Sequence, residues 1–381
     1  MIKHERLILE KLTENPMLSQ GELAAMLNLA RSSVSVYISH LMQMGYIRGR
    51  GYLIEDHNTV YVIGTAGIDY RTIVNETLLL DSAHTAIMDD NDLLISYGGI
   101  GKNIADSLHR IGLSVSCICA VGSDTSGKEL LEDCRQIGVD VSDALIVPGQ
   151  KSSTYLEIRS LNKKHILINS ANVKLQETLT PEYLQSKAHK LRHALAIVIE
   201  DSLSIQSMQY ISSNYIQIPI FMVCSKPTRA ARYVTFMNQF HGLIASLEIA
   251  WAILGEHGDA PVQSALVADI IRQISAKVCG PVLLCYGASE FAYSDGTRIW
   301  LGSYENPSAR ASIYSHYRDT VAAGFIHCLL DESCGEDLIR YVCACRQIVA
   351  QSEFIVSHQL CPERIAAVLQ SIQCDIYPVI D

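Results

Sequence analysis

An α/β fold is predicted for most of this 381-residue chain: a mainly parallel sheet with helices on both faces and a small β lid, preceded by a small N-terminal helical unit. Three observations predict it. From Thr59 onward, short apolar runs of strand character alternate with helical stretches, the rhythm of successive βαβ units. Residues 1–54 follow a different rhythm and carry a net charge of +2, which leaves −12 for the remainder. The length suits two units at about 150 residues each, placed at 1–56 and 57–381.

Composition removes several classes. With 49% hydrophobic and 18% charged residues the chain is not disordered. A net charge of −10 excludes a non-specific nucleic-acid coat for the whole chain, though not a small module within it. No apolar run approaches the roughly 18–20 residues a membrane span needs. The charged start Met1-Ile2-Lys3-His4-Glu5-Arg6 lacks the apolar core of a signal peptide. A cytoplasmic protein with no membrane partner is expected. The twelve cysteines are dispersed and form no CxxC pair; Cys117/Cys119 and Cys343/Cys345 would each share one face of a strand. Zinc frameworks need matched close pairs, so buried reduced thiols and no metal site are expected.

In the N-terminal unit, Leu7, Ile8 and Leu12 form the apolar stripe of a first helix that Pro16 ends. Ser19-Gln20-Gly21-Glu22 reads as a capping box opening a second helix through Leu23, Ala24, Met26 and Leu27. Asn28-Leu29 makes a tight turn. A third helix runs from Arg31 to about Met44 with Val34, Ile38, Leu41 and Met42 inward, and Gly45 stops it at the C′ position. Tyr46–Leu53 then alternates like a short hairpin. Three short helices and a hairpin make a winged helix-turn-helix. Its third helix would present Arg31, Ser32, Ser33, Ser35 and His40 to a DNA major groove, and Arg48 and Arg50 of the wing would meet phosphate or the minor groove. A protein-interaction module could share this core; the polar helix face and the two wing arginines favour DNA. The segment resembles the helix-turn-helix domains of bacterial regulators, which implies a DNA operator as partner and a homodimer.

In the body, strands are predicted at Val60–Ile63, Val115–Val121, Leu195–Glu200, Ile218–Val223 and Pro281–Tyr286, and helices at Ile104–Ile111, Gly127–Ile137, Ile205–Ser213 and Val262–Val278. Tyr70–Ser96 and Thr154–Ile168 have strand character without a following helix, so they are expected to pair as the lid.

Gly98-Gly99-Ile100-Gly101-Lys102-Asn103 leads into the helix at Ile104. Its glycines let backbone approach a ligand closely, and Asn103 opens the helix with a polar head. The G-x-G-x-x-G spacing of a dinucleotide site is absent. The order of elements is informative: Val62-Ile63-Gly64, Asp69, the glycine-rich turn, Arg110-Ile111-Gly112, then Ala120-Val121-Gly122-Ser123-Asp124-Thr125-Ser126-Gly127. This order resembles the ribokinase or PfkB family of carbohydrate kinases over about residues 58–375, through its GG-x-G-x-N, R-x-G and V-G-D-D-x-x-G signatures. Ser153-Thr154-Tyr155-Leu156, the returning Ile166-Leu167-Ile168 with Asn169, and the closing Val356-Ser357-His358-Gln359-Leu360 look most like the pseudouridine-kinase branch.

The resemblance implies a ribokinase-like fold, with Asp69, Gly98, Gly99 and Asn103 holding sugar hydroxyls. It also implies Asp319 as the general base that takes the proton of the hydroxyl attacking the γ-phosphate of ATP, with Mg. A turn aspartate and helix caps are the plain structural uses of these residues. The G-A-G expected before the base is replaced by His316-Tyr317-Arg318, three bulky side chains where backbone should touch phosphate. The family's N-x-x-E becomes Ala245-Ser246-Leu247-Glu248, its T-L-G becomes Cys285-Tyr286-Gly287, and an aspartate expected within Phe221–Lys226 is missing. Glu248, Arg318 and Gly287 remain for nucleotide or phosphate. This lopsided match leads to the expectation of a sugar- or nucleoside-responsive DNA-binding regulator that uses no cofactor. The alternative is an active kinase transferring the ATP γ-phosphate to pseudouridine or a related nucleoside or sugar. A structural module without a small ligand is the third reading, opposed by Asp69 and Asn103.

Overall fold

The computed structural model describes residues 2–47, 58–74, 93–160, 166–256, 263–287, 289–305, 317–352 and 354–379. Helices α1 (Lys3–Glu14), α2 (Gln20–Leu27) and α3 (Arg31–Gln43) pack around Ile8, Leu12, Leu23, Val34, Ile38 and Leu41. The predicted capping box is present: the Glu22 amide donates to Ser19 Oγ at 3.2 Å, and the Ser19 amide donates to Glu22 Oε2 at 2.7 Å. Gly45, at φ 81°, ends α3; the Tyr46 amide donates to the Leu41 carbonyl at 2.9 Å and the Gly45 amide to that of Met42 at 3.1 Å. Met42, expected inward, is exposed. Val34, Ile38 and Leu41 fill the inner face at i, i+4 and i+7, and the next residue is turned away by about 100°. The hairpin with Arg48 and Arg50 lies outside the described residues. Gly45 is also where this unit meets the body, since a Cβ there would fall 2.2 Å from Cε1 of His193.

The main sheet holds β1 (Thr59–Ile63), β4 (Ser114–Ile118), β9 (Ala196–Glu200), β10 (Ile220–Val223), β11 (Gly242–Ser246), β12 (Val282–Tyr286), β13 (Glu290–Ser294), β14 (Ile299–Tyr304) and β15 (Cys374–Pro378). Their order is β15-β14-β13-β12-β11-β10-β9-β1-β4, parallel from β4 to β12 and antiparallel beyond. One face packs Val60 and Val62 against helices Ile100–Ile111, Thr125–Ile137, Tyr317–Leu330 and Gly335–Ala350. The other packs Tyr61 and Ile63 against Ile205–Asn214, Leu247–Leu254 and Ser264–Ser275. Burial on both faces is why these strands read as continuous apolar runs.

The lid is a four-stranded sheet in the order β3-β2-β7-β8, with β2 (Gly67–Val74), β3 (Leu94–Gly98), β7 (Ser153–Ser160) and β8 (Ile166–Ala171). Three expectations need correction. Val115–Val121 breaks at Cys119, and its second half, β5 (Ala120–Gly122), leaves the main sheet to pair with β6 (Leu145–Val147). The antiparallel strands β13 to β15 were not anticipated. Cys343 and Cys345 lie on a helix, where residues two apart do not share a face.

The end of β9 positions everything above it. Glu200 and Asp201 are both buried. Glu200 Oε1 accepts from the Thr65 amide and, at 2.6 Å, from the Ser202 hydroxyl. Thr65 in turn accepts from the Ile100 amide through Oγ1 and from the Lys102 amide through its carbonyl, both at 3.0 Å. Asp201 accepts from the amides of Ser225 (2.8 Å) and Lys226 (3.1 Å), from the Ser225 hydroxyl, and from Arg229 Nη1 (3.1 Å). Burial raises the Glu200 carboxyl to about 7, against the opposing pull of Ser202 and Thr65.

Two outcomes follow. Ser19→Ala removes half of the capping box at a cost of about 1 kcal/mol, read as roughly fivefold faster hydrogen exchange of the α2 amides. Because the folded Glu200 holds its proton to about 7 while an unfolded glutamate loses it near 4.5, the unfolded state sheds the proton first. Unfolding free energy, measured by denaturant titration relative to Glu200→Gln, therefore falls as pH rises from about 4.5 to 7, by up to about 3 kcal/mol. A pH-independent difference would contradict this.

Candidate functional site

A cavity of about 330 Å³ opens where the C-terminal ends of β1 and β10 meet β2 and β7 of the lid. This is the usual place for ligands in open α/β sheets. From the lid, Asp69 reaches into it. Arg71 lies two residues along β2 and so on the same face; its Nη2 donates to Asp69 Oδ2 at 3.1 Å, and its Nε lies 3.9 Å from Glu157 Oε2 on β7. All three side chains are buried. Gly98 stands behind Asp69 and does not line the cavity; a Cβ there would fall 2.1 Å from Asp69 Oδ2. Gly99 does line it, at φ 100°, and a Cβ would meet the Ala66 Cα at 2.7 Å.

Asn103 does not open its helix. The helix starts at Ile100 with Gly99 as its cap, and the Asn103 amide already bonds the Gly99 carbonyl at 2.8 Å. Its side chain is left to donate, from Nδ2, to Asp319 Oδ2 at 2.8 Å. Asp319 is buried in the first turn of Tyr317–Leu330, where the helix dipole favours a carboxylate. One turn on, Ser107 Oγ and Thr320 Oγ1 lie 3.0 Å apart and bind the two helices together. The cavity thus gathers Asp69, Gly99, Asn103 and Asp319, a set of carboxylate, amide and backbone groups able to bridge adjacent hydroxyls, with the Arg318 guanidinium also in its lining.

The expected nucleotide side is different. Tyr317 packs its ring 3.8 Å from the Arg346 guanidinium, and its hydroxyl donates to the Gly287 carbonyl at 3.4 Å. Burial pushes that phenol up to about 12. Gly287 at φ 62° and Glu248, exposed on the first turn of Leu247–Leu254, do not line the cavity. His316 lies outside the described residues. Among the described residues no group of three His, Cys, Asp or Glu side chains could hold a metal ion, and no helix is long and apolar enough to cross a membrane. Among the described residues, Tyr317 and Arg318 do not fit a bare-backbone cradle for an ATP phosphate: they put bulky side chains at two of the three positions where the motif has small ones, and the Tyr317 hydroxyl bonds the Gly287 carbonyl.

Sequence reasoning missed Arg71, Glu157, Glu200, Asp201, Lys226 and Arg229. The available signal was a charge at or just past the end of a buried apolar strand, as with Glu200 closing β9, Asp201 next to it, and Lys226 three residues after β10. On α3, Arg31 and Ser32 are exposed and Ser33 and Ser35 partly so. His40 is engaged: its Nδ1 lies 2.5 Å from Glu5 Oε1, a contact that joins α3 to α1 and is the main cause of the lowered Glu5 pKa.

Residues 58–273 match the family model described as pfkB family carbohydrate kinase, and residues 3–48 match one described as winged helix-turn-helix DNA-binding. The uncharacterized sugar kinase YeiI of Escherichia coli (strain K12) is 28% identical over 355 residues, 91% of this chain and 93% of that protein. The pseudouridine kinase of the same organism is 24% identical over 323 residues, 84% of this chain and 99% of that protein. Among solved structures, ribokinase from Giardia lamblia superposes with a TM-score of 0.68 at 16% identity, over 83% of this chain and 99% of that one. Arabidopsis thaliana ribokinase complexed with ribose and ATP gives 0.66 at 14%, over 82% and 98%. With its fold shared and more than half of its length matched by the family model, the chain belongs to the pfkB family of carbohydrate kinases and carries a winged helix-turn-helix at its N-terminus.

Proposed function

We propose that this protein is a DNA-binding transcription regulator that senses a sugar or nucleoside in its pfkB-type cavity. Residues 1–56 would bind an operator and residues 57–381 the ligand, in a cytoplasmic homodimer whose two recognition helices meet successive half-sites. The observation that carries this reading is the wedge of Tyr317 between Arg346 and Gly287, beside an assembled Asp69, Asn103 and Asp319. The hydroxyl-binding half keeps its donors and acceptors. In the half that would stabilise charge on a transferring phosphoryl group, Tyr317 and Arg318 put bulky side chains where bare backbone would approach phosphate, and fixed donors around that charge are usually the largest contribution to such catalysis. On this reading Asp69, Gly99 and Asn103 hold the ligand, and Arg31, Ser32, Ser33 and Ser35 face DNA. A ligand changes DNA affinity only by binding the DNA-competent and incompetent arrangements unequally.

An active kinase is the second reading. It is favoured by one observation, the Asp319 carboxylate lining the cavity beside Asn103, where it could act as general base.

Pseudouridine, uridine and pentoses, screened by thermal shift, are expected to include at least one stabilising ligand. Asp69→Ala abolishes that shift while the fold, read by circular dichroism, is kept. Mg-ATP gives no phosphate transfer to the same panel; turnover that Asp319→Asn abolishes would overturn the sensor reading in favour of the kinase. Operator binding weakens steeply with salt, and Arg31→Ala lowers affinity and reduces the logarithmic salt slope by about 1. Binding indifferent to salt would count against DNA as the partner.

A further inference from the structure

The cavity has a charged end that a sugar or nucleoside alone leaves unused. Lys226, Arg229 and Arg318, none of them on the lid strands, are among its lining residues. Arg229 is neutralised, its Nη1 lying 3.1 Å from Asp201 Oδ1. Among the described residues, neither the Lys226 ammonium nor the Arg318 guanidinium has an ion-pair partner. The Lys226 amide is nevertheless fixed by Asp201 at 3.1 Å, which anchors the root of that side chain at the cavity rim. Arg318 is half-buried. Lys226 is exposed, and a half-buried guanidinium with no ion-pair partner among the described residues favours an anion beside it.

The charge is segregated. At the lid end Arg71 stands between Asp69 and Glu157, leaving one net negative charge among these three. Outside the lid strands the lining adds Lys226, Arg318 and the Asp319 carboxylate that Asn103 holds, one net positive charge among these three. Hydroxyls suit the first end. A planar guanidinium and an ammonium together suit a phosphate, which carries about −1.5 to −2 near neutral pH and accepts bidentate bonds from arginine. A cavity of about 330 Å³ lies at the small end of ligand pockets, the right scale for a sugar or nucleoside with one phosphate.

We infer that the ligand sensed here is a phosphorylated one, a sugar phosphate or nucleoside monophosphate. Its hydroxyls lie on Asp69 and Asn103, and its phosphate lies between Lys226 and Arg318. This rests on the sensor reading, and it specifies what is sensed. The cavity then reports on the product of a phosphorylating reaction carried out elsewhere.

Isothermal titration of the full chain tests it, with uridine, pseudouridine and ribose set against their 5′-monophosphates and inorganic phosphate as control. At least one monophosphate binds ten times or more tighter than its parent. Arg318→Gln and Lys226→Gln each erode that preference severalfold while the affinity for the parent compound stays within about twofold. Asp319→Asn, which keeps a partner for Asn103 and removes a negative charge next to the phosphate, widens the preference. A parent compound that binds as tightly as its monophosphate overturns the phosphate inference and leaves the sensor reading standing. A preference unchanged in both cation variants also overturns it. Failure of every parent and monophosphate to bind overturns both.

Discussion

Two adjacent buried carboxylates at the end of β9 hold the two halves of the cavity. Successive side chains of a strand point to opposite sides, so Glu200 and Asp201 serve different neighbours. Glu200 fixes Thr65, and through Thr65 the start of the helix that carries Asn103. Asp201 fixes Ser225, Lys226 and Arg229. Each escapes the penalty of a buried charge by a different route. Asp201 is surrounded by donors, and Glu200 is held as the neutral acid up to about 7 by its burial. The glycines nearby follow from this. A Cβ on Gly64 would meet the Glu200 Cγ at 2.8 Å, and one on Gly101 would meet the Gly64 carbonyl carbon at 2.8 Å. The glycine-rich turn is therefore as much a packing requirement as a ligand-binding device.

That distinction explains what could be read from the chain and what could not. β9 was legible because every residue of Ala196–Glu200 is buried, which forces an uninterrupted apolar run. The lid was legible as strands that no helix follows. The capping box at Ser19 and the glycine stop at Gly45 are local, and local chemistry specifies them. The antiparallel end of the sheet carried a turn signal, Asp295-Gly296 with Gly296 at φ 95°, between two runs too short to stand out. Asn103 was assigned to the right site for an incomplete reason. Gly99, at positive φ, starts the helix four residues early, and that frees the Asn103 side chain for Asp319, 216 residues away. No spacing rule reports such a pair; family resemblance pointed to it, and the folded helices bring it together.

The strands that end at the cavity begin beside the N-terminal unit. Thr59, at the start of β1, accepts a hydrogen bond from Leu195, which precedes β9, at 2.9 Å. Two residues before Leu195, His193 occupies the space over Gly45 at the end of α3. His193, which packs over Gly45 at the end of α3, and Glu200 thus lie seven residues apart on one short segment. On the proposed reading this segment is a direct link between ligand and DNA. It transmits a signal only if the loops held by Glu200 and Asp201 settle differently with and without ligand, and if the docking of α3 differs with them.

The bulky side chains of Tyr317 and Arg318, where the motif has small residues, bear on why, on the proposed reading, such a cavity would bind without reacting. Catalysis requires contacts that are stronger in the transition state than in the ground state. Backbone amides fixed around a developing charge supply that difference, because they need no reorganisation as the charge moves. A long arginine side chain adjusts to whatever phosphate is present. Unless it is fixed in place, it discriminates less between a stable phosphate ester and a transferring one, and so contributes less to lowering the barrier. On the proposed reading, the same substitution that weakens the case for phosphoryl transfer strengthens the case for holding an anion, because Arg318 adds a cation where the motif has a small residue.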